Sequence, residues 1–399
     1  MTRARRTVAV VGTGAVGSMA AWRLAARGLE VHAFDRWGTP HDRGAAAGQS
    51  RRFTVIAMAD QLLPPVTRHA ETLWRQLEAE SGRRLLEQKS GLIIGPRSSP
   101  GVAAALRGCE AWGIDHRLLD TDSLRDRYPQ HTVRGHEVAI HDPSTGLIRP
   151  EAAILAATER ARAGDARVHG GADVVDVQVR SASVRLTVRV APGRFEHRTV
   201  DSLVLAPGAW AATEPWRGLL ADVLTQPLVA RRLVQTWFVA REPARYEADV
   251  FPVFERVGLP GGASIYGFPT QDGVTVKVGV KTRPHDLVAD PAAPHAGLSP
   301  GHLEEIREVV AEQLPGLHPQ PVQTTLAVEG YSADGQPVVG TLPGSPHVAV
   351  AVGFSGAGFK YAPAVGDALA GLIAEGRTSV PLSHMAPSPG CSGELSAYE

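Results

Sequence analysis

The sequence predicts a two-domain protein of mixed class, α/β plus α+β, and three observations support this prediction. A glycine-rich turn follows the apolar run at residues 7–11 and opens a helical pattern, which is typical of a parallel βαβ unit. Residues 224–280 are rich in β-forming and aromatic residues, as expected for an antiparallel sheet. Strand-like runs and a helical pattern return after residue 335, so we expect the first domain to be discontinuous.

The N-terminal segment is predicted to be a strand, a turn, a helix and a second strand. Gly12, Gly14 and Gly17 follow the first apolar run and open the helix. The first glycine permits a tight turn, the second lets the backbone approach a pyrophosphate, and the third allows close packing of helix on strand. The second strand, residues 30–34, ends at Asp35, where a carboxylate would accept hydrogen bonds from a ribose. These features predict a Rossmann-like dinucleotide-binding unit.

The rest of the chain alternates between helical and strand-like patterns, and proline or serine often marks a helix start. Helices are predicted at 64–80, at 150–163, from about 300, and at 362–375; strands are predicted at 172–179, 183–190, 203–206, 336–340 and 347–352.

Composition argues against several kinds of partner. The formal net charge is zero, which does not indicate a nucleic acid or an anionic membrane surface. No apolar run is long enough to span a bilayer and no signal peptide is evident, so we expect a cytoplasmic protein. Cys109 and Cys391 lack metal-type spacing, and we expect no metal site and no disulfide framework. The Ser-Pro-Gly-rich tail, residues 386–399, is expected to be disordered.

Lysine is scarce in this chain. Only four of the 41 basic residues are lysines: Lys89, Lys277, Lys281 and Lys360. Lysine offers a compact, titratable ammonium, whereas arginine offers a planar fork that stays charged. The positions that keep lysine are therefore candidates for a function that needs an ammonium, and the alternative is chance retention at the surface.

A second glycine cluster, Gly353-Phe-Ser-Gly-Ala-Gly-Phe-Lys360, precedes the last helical pattern. The N-terminal turn alone does not distinguish NAD from FAD. An NAD enzyme would usually place its catalytic domain after one compact nucleotide-binding unit. A second backbone-rich loop, far along the chain, suits a larger ligand whose isoalloxazine ring and ribityl chain need support, and this favours FAD.

With both glycine loops in view, the chain resembles the D-amino-acid-oxidase-like flavoprotein superfamily, and within it the monomeric sarcosine oxidase and N-methyltryptophan oxidase group. The resemblance covers about residues 7–380, and the string at Gly353–Lys360 is its most specific part. Its other marks are Gly12–Gly17 with Asp35, Pro40-His41 through Gly48-Gln-Ser50-Arg51, Leu205-Ala-Pro-Gly-Ala-Trp210, Tyr266-Gly-Phe-Pro269 through Lys277, and Asp334-Gly-Gln-Pro337.

The resemblance implies a discontinuous Rossmann-like FAD-binding domain, residues 1–90, 146–222 and 322–385. It implies a second, antiparallel-sheet substrate domain, residues 91–145 and 223–321. FAD is expected to be noncovalent, because the stretch that matches the family's covalent flavin cysteine, residues 325–330, contains no cysteine. The implied cofactor-binding residues are Gly12, Gly14, Val16, Gly17, Asp35, Arg36, Ser50, Arg51, Gly208, Trp210, Gly353, Ser355, Gly356, Gly358, Phe359 and Lys360.

The resemblance also implies roles for four residues around the flavin. Arg51 matches the arginine over one flavin face, where a cation favours the reduced ring; the alternative is a solvated loop arginine. Lys277 matches the lysine that promotes reaction with oxygen, by stabilising developing superoxide. Lys360 matches the lysine that holds the substrate carboxylate, and Tyr266 matches a tyrosine of the substrate pocket.

Three departures from the family pattern concern the substrate. Thr54 stands where the family has a second carboxylate-binding arginine, and the adjacent Arg52 would point away from Arg51 in an extended segment. Lys281 replaces an active-site histidine; it either reaches a distal polar group of the substrate or lies in solvent at the rim. The family's tyrosine after the flavin cysteine has no sure counterpart, although Tyr331 is near.

The expected function is therefore FAD-dependent oxidation of a carboxylate-bearing secondary amine, such as an N-substituted glycine or another N-substituted or cyclic amino acid. Hydride transfer to flavin N5 would give an imine that hydrolyses, and oxygen would become hydrogen peroxide. Members of this group, including glycine-oxidase-type enzymes, also act in antibiotic pathways. The alternatives are an amine dehydrogenase that uses another electron acceptor and a non-catalytic nucleotide-binding protein. The protein is expected to be a monomer or homodimer.

Overall fold

The computed structural model describes residues 5–282, 286–293 and 297–387. Most of the tail predicted to be disordered, including Cys391, lies outside the described residues. The strands are β1 (Thr7–Val11), β2 (Glu30–Asp35), β3 (Arg51–Phe53), β4 (Leu86–Gln88), β5 (Gly91–Pro96), β6 (Arg117–Leu119), β7 (Glu137–Asp142), β8 (Gly146–Ile148), β9 (Arg167–Gly170), β10 (Asp173–Val179), β11 (Val184–Ala191), β12 (Arg194–Val200), β13 (Ser202–Leu205), β14 (Val229–Ala240), β15 (Val253–Arg256), β16 (Ser264–Phe268), β17 (Thr275–Lys281), β18 (Leu287–Val288), β19 (Leu317–Tyr331), β20 (Val338–Leu342) and β21 (Ser345–Val352).

The α-helices fall where the periodicity predicts them, with three additional ones. The helix Pro150–Ala163 begins with a proline at its first position. The side chain of Ser299 caps the N-terminus of the helix Pro300–Gln313. The helices are α1 (Ala15–Ala26), α2 (Leu63–Ser81), α3 (Pro100–Trp112), α4 (Thr121–Arg127), α5 (Pro150–Ala163), α6 (Trp216–Leu220), α7 (Pro300–Gln313) and α8 (Ala362–Glu375).

The predicted Rossmann-like unit is the centre of a six-stranded sheet with strand order β20-β21-β13-β1-β2-β9. β1 pairs in parallel with β2 on one side and β13 on the other, and β13 pairs in parallel with β21. Val8 and Val10 pack against the helices α1 and α8, whereas Ala9 and Val11 pack on the opposite face. The sheet thus gathers segments from both ends of the chain, as the two glycine loops predict.

A three-stranded antiparallel sheet, β10-β11-β12, covers the second face of the six-stranded sheet. Its side chains Val184, Leu186 and Val188 alternate inward and are fully or almost fully buried. The sequence pattern predicts the first two strands but not β12, whose residues are mostly exposed and polar. An edge strand of this kind carries little hydrophobic signal, which is why it escapes prediction.

The middle of the chain forms a larger sheet of mixed rather than purely antiparallel type. β14, β16 and β17 form the predicted antiparallel core, and β19 pairs along β14. β5 pairs in parallel with β15, which lies between β16 and β5, and this differs from the predicted antiparallel arrangement. The parallel pair arises because β5 reaches this sheet from an earlier part of the chain instead of through a hairpin.

The domain division remains a proposal, and the sheets suggest one adjustment to it. A small antiparallel sheet, β3-β8-β4, joins segments assigned to the FAD-binding domain. The proposed boundary between residues 321 and 322 falls inside β19, which pairs with β14 through Tyr331. A boundary after Tyr331 would keep that strand whole. No helix in the described part of the chain combines the length and apolar character that crossing a membrane requires.

Candidate cofactor and active site

A cavity of about 380 Å³ opens at the C-terminal ends of the parallel strands β1, β2, β13 and β21. Ligands of open α/β sheets bind at this edge, and the volume lies within the range of about 300–1,000 Å³ that is usual for cofactor sites. The predicted cofactor residues that line it are Gly12, Gly14, Val16, Asp35, Arg36, Arg51, Gly208, Trp210, Gly353, Ser355, Gly356, Gly358 and Phe359. The lining does not include three other predicted cofactor residues, Gly17, Ser50 and Lys360.

The first glycine turn has the geometry that a bound pyrophosphate needs. Gly12 has a φ of +84°, and a Cβ on it would lie 2.4 Å from the carbonyl oxygen of Ala206. A Cβ on Gly17 would lie 1.8 Å from the carbonyl oxygen of Gly12, so this glycine allows helix and turn to touch. Gly14 begins α1 without a side-chain cap and faces open space. The helix therefore presents its N-terminal N–H groups to the cavity, where they suit phosphate.

Asp35 is already held by several protein donors. Its Oδ2 accepts hydrogen bonds from the amide and hydroxyl of Thr13, both at 2.9 Å, and its Oδ1 accepts one from the amide of Trp37 at 3.0 Å. Burial acts to raise the pKa of this carboxyl, but His41 and the amide donors outweigh it and lower the pKa. Asp35 therefore stays ionised, and a ribose hydroxyl would share Oδ1 with the amide of Trp37 and with Nε2 of His41, which lies 3.5 Å away.

The rest of this end of the cavity contains residues that the motif does not identify. The indole of Trp37 lies 4.7 Å from that of Trp210, measured between ring centroids. Trp210 Nε1 is buried without a hydrogen-bond partner in the described structure, so it can donate to an acceptor on a bound nucleotide. The guanidinium of Arg36 lies over the ring of Trp37 and approaches Asp173 at 3.5 Å. Two indoles in contact, tilted by 56°, and an unpaired donor suit a nucleotide.

The second glycine loop forms the wall of the cavity opposite the first glycine turn. Gly353, Ser355 and Gly356 all have positive φ, at +73°, +49° and +86°. Such a run turns the backbone toward the cavity, and the amide of Ser355 is held by the carbonyl of Gly330 at 3.1 Å. Phe359 stacks on Trp74 and anchors the end of the loop. The two loops together give a backbone-lined cradle, which fits FAD.

Arg51 lines the cavity and is fixed by backbone carbonyls. Its guanidinium donates to the carbonyls of Ser50 at 2.7 Å and Ala47 at 2.6 Å, and also to that of Ala45. A further bond at 3.2 Å reaches the side-chain oxygen of Gln235. This arrangement differs from a solvated loop arginine and presents a stationary positive charge to the ligand.

Lys277 lies in β17, directly behind the same loop. Only 3% of the residue is exposed, and Nζ donates to the carbonyls of Gly48 at 2.6 Å and Ser50 at 3.0 Å. Nζ also lies 5.3 Å from the ring centre of Trp237. Burial, followed by the charge of Arg51, lowers the pKa of Lys277 well below its usual value. Arg51 and Lys277 thus share one carbonyl, that of Ser50, as a common partner.

Lys360 faces a different group of charges. Burial and then the neighbouring cation Arg52 lower the pKa of Lys360 to about 8, while Glu255 and Asp60 act in the opposite direction. Arg52 itself forms a close ion pair with Glu255. Arg51 and Arg52 therefore point to different surroundings, as the extended β3 segment predicts, and two cations meet at the position proposed for the substrate carboxylate.

The remaining predicted substrate residues are less closely grouped. Tyr266 is packed across Gly279, and burial raises the pKa of its phenol to about 12. Thr54 is buried with its hydroxyl accepting from the amide of Ile56 at 3.1 Å, and it does not line the cavity. Lys281 is exposed at the end of β17. The exposure of Lys281 accords with the rim alternative, and neither residue has a direct partner in the cofactor cavity.

Glu329 is a further lining residue that the sequence patterns do not identify. It lies on β19, is 8% exposed, and lines the cavity beside Gly330. The hydroxyl of Tyr331 donates to its Oε2 at 3.2 Å. The only available signal is its place within residues 325–330, the stretch that matches the family's flavin attachment point.

Comparison with known proteins gives consistent matches over nearly the whole chain. The family described as DAO, FAD dependent oxidoreductase, matches residues 7–372. A monomeric sarcosine oxidase from Streptomyces avermitilis is 30% identical over 384 residues, which cover 95% of this chain and 96% of that protein. An N-methyl-L-tryptophan oxidase from Yersinia pestis is 28% identical, covering 93% and 95%. The structure of NikD, an amino acid oxidase essential for nikkomycin biosynthesis, superposes with a TM-score of 0.82 at 21% identity, covering 97% of this chain and 98% of that chain.

Proposed function

The chain belongs to the DAO family of FAD-dependent oxidoreductases, and on this premise we propose that it oxidises a carboxylate-bearing secondary amine with oxygen as electron acceptor. An N-substituted glycine or another N-substituted or cyclic amino acid is the proposed substrate class. Sarcosine oxidase and N-methyl-L-tryptophan oxidase act on amines of this class, as their names state. Membership of an oxidoreductase family sets aside the non-catalytic alternative.

One observation carries the proposal: β3 directs two adjacent arginines to two different lysines. Arg51 shares the Ser50 carbonyl with Lys277, and Arg52 lies beside Lys360. Bound FAD would supply a two-electron acceptor for the C–H bond next to the amine nitrogen. The first pair of cations would stabilise negative charge on the ring and on oxygen as it is reduced. The second pair would hold the substrate carboxylate.

The substrate carboxylate has an unusual partner set in this proposal. Thr54 replaces the arginine of the family pattern and lies buried outside the cavity. Arg52 is adjacent to Lys360 but is paired with Glu255, so part of its charge is already neutralised. A small amino acid would be held less firmly by such a site, and we infer a substrate that makes further contacts, for example with the aromatic side chains of the middle sheet.

FAD is proposed to be bound without a covalent bond. Among the described residues that line the cavity, none is a cysteine, and Cys109 is 1% exposed within the core. Acid precipitation of the purified protein should therefore leave the yellow colour in the supernatant. A yellow pellet would show a covalent link and refute this part of the proposal.

A peroxide screen tests the reaction itself. The purified protein is mixed in air with N-methyl, N-carboxymethyl and cyclic amino acids, and hydrogen peroxide is measured with a coupled peroxidase. Peroxide formation at the rate of substrate consumption is expected for an oxidase. Reduction of the flavin by an amine without peroxide, followed by reoxidation with an artificial acceptor, would instead establish the dehydrogenase alternative.

A further inference from the structure

The proposed roles leave one buried titratable group in the cavity unused, the carboxyl of Glu329. It is in register with Arg231 of β14, and its neighbour Gly330 contacts the loop after β21 through the amide of Ser355. A Cβ on Gly356 would lie 3.4 Å from Oε2 of Glu329, so the carboxyl rests against the second glycine loop. Glu329 is therefore positioned by the same backbone that forms the flavin end of the cradle.

The two oxygens of Glu329 differ in their surroundings. Oε2 accepts from the hydroxyl of Tyr331 at 3.2 Å. Within the described part of the chain, Oε1 has no hydrogen-bond donor, although the residue lines the cavity. A carboxylate oxygen at the lining of a binding site can accept a hydrogen bond from a donor on the ligand.

Several charged or titratable groups face this carboxyl. Tyr331 lies on its own strand, Arg51 comes from β3, and Tyr266 comes from β16. Arg231 of β14 lies 5.7 Å from the ring centre of Tyr331. Burial raises the pKa of Glu329, while Arg51 and the bond from Tyr331 act to lower it. The carboxyl can thus exchange a proton nearer to neutral pH than an exposed glutamate does.

An amino-acid substrate needs such a group. It arrives with an ammonium, whereas its C–H bond can lose a hydride only when the nitrogen carries a free electron pair. Arg51, Lys277 and Lys360 would all repel the ammonium, and a single carboxylate would offset that repulsion. The N–H groups of the substrate ammonium can also donate a hydrogen bond to Oε1 of Glu329.

Resting on the function proposed above, we propose that Glu329 binds the substrate ammonium and accepts its proton before the C–H bond breaks. The N–H bond breaks, its electron pair stays on nitrogen, and the proton bonds to Oε1, so the carboxylate becomes a carboxylic acid. The amine is then neutral, and its carboxylate remains with Lys360. The proton leaves to water after the product departs.

A matched pair of inert ligands tests the recognition of positive charge. Trimethylglycine and 3,3-dimethylbutyrate share shape and carboxylate, but only the first carries a positive charge, and neither can be oxidised. Calorimetry on the FAD-loaded wild type should show a preference for trimethylglycine of about tenfold or more, the usual size for a buried charged contact. Glu329→Gln should remove that preference, and Glu159→Gln, an exposed glutamate of α5, should retain it.

The outcomes separate the inference from the proposed function. Equal binding of both ligands by the wild type, or a preference that survives in Glu329→Gln, would overturn the inference. If the wild type loses its preference for trimethylglycine as the pH is lowered, that loss supports the inference without the use of a variant, because the Glu329 carboxyl then takes up a proton. Failure of both ligands to bind would overturn the carboxylate site as well.

Anaerobic rapid mixing tests the proton transfer. With an amine found in the peroxide screen, Glu329→Gln should reduce its flavin about tenfold or more slowly near pH 7, and the rate should recover as the pH approaches the pKa of the free amine. A wild-type rate at pH 7 would overturn the proton role. A preference for trimethylglycine without flavin reduction by any amine would refute the proposed oxidation but support the recognition of the ammonium.

Discussion

Replacing Lys277 by methionine removes one buried positive charge and keeps an unbranched side chain. The charge is stationary, because Nζ is held by the carbonyls of Gly48 at 2.6 Å and Ser50 at 3.0 Å. For superoxide forming about 4 Å from Nζ, a unit charge contributes about 4 kcal/mol at an effective dielectric constant of about 20. Loss of one preorganised group of this kind typically slows a reaction by about 10²–10³-fold. We expect that factor in the reoxidation of the reduced flavin.

Two rapid-mixing experiments separate the half-reactions. Mixing substrate-reduced protein with oxygenated buffer measures reoxidation, and anaerobic mixing of oxidised protein with the amine measures reduction. Lys277→Met should impair the first far more than the second. Lys89→Met is the control, since Lys89 has a side chain that is 56% exposed and pairs with Asp249 at the surface. Equal slowing of both half-reactions, or unchanged reoxidation, would refute the role in oxygen activation.

The pH dependence gives an independent check on the same side chain. Only the protonated ammonium stabilises superoxide, and burial lowers the pKa of Lys277 well below its usual value. Reoxidation should therefore be fast below that pKa and slow down as the pH rises through it, at a pH well below the ordinary range for lysine. The methionine variant should lack this decline. A decline of the same size in the variant would assign the titration to another group.

Three further changes probe the carboxylate site, the ribose site and the core. Lys360→Ala should raise KM for carboxylated amines by a factor that corresponds to a loss of about 1.5–3 kcal/mol of binding free energy, and it should leave amines without a carboxylate unaffected. In the wild type, KM should rise above pH 8, because Lys360 has a pKa of about 8 and loses its positive charge there. Asp35→Ala should weaken FAD binding about 10- to 150-fold, measured by flavin release on dilution, and unchanged retention would show that the ribose is held elsewhere. Glu137→Gln should lower the free energy of unfolding in urea by about 3–5 kcal/mol, because it leaves the fully buried Arg256 unpaired, whereas Glu242→Gln at the surface should cost less than about 1 kcal/mol.

The sequence is sufficient to predict the parts of the fold that depend on local patterns. The apolar run before Gly12, the helix it opens and the strand ending at Asp35 all form as predicted. The helix Pro150–Ala163 and the helix Ala362–Glu375 have the predicted bounds. In each case periodicity and a proline or glycine at the end determine the element, without help from distant residues.

What the sequence does not reveal depends on pairing between distant segments. β3 is only three residues long and exists because β8, about a hundred residues later, pairs with it. The parallel pairing of β5 with β15 likewise has no local signal. The site shows the same limit. The resemblance implies a role for Lys277, but the bonds from its Nζ to the carbonyls of Gly48 and Ser50, and the place of Glu329 in the cavity, appear only in the folded chain.

The order of strands in the six-stranded sheet also determines when the cofactor can be loaded. The central strand β1 is among the first to be synthesised, yet its partner β13 follows almost two hundred residues later, and β21 is added near the end. The wall formed by Gly353–Phe359 appears later still. During translation the nascent chain thus exposes the edges of β1 and β2 until the sheet closes. A chain stalled on the ribosome before β21 would therefore lack part of the cradle, and we expect it not to retain FAD.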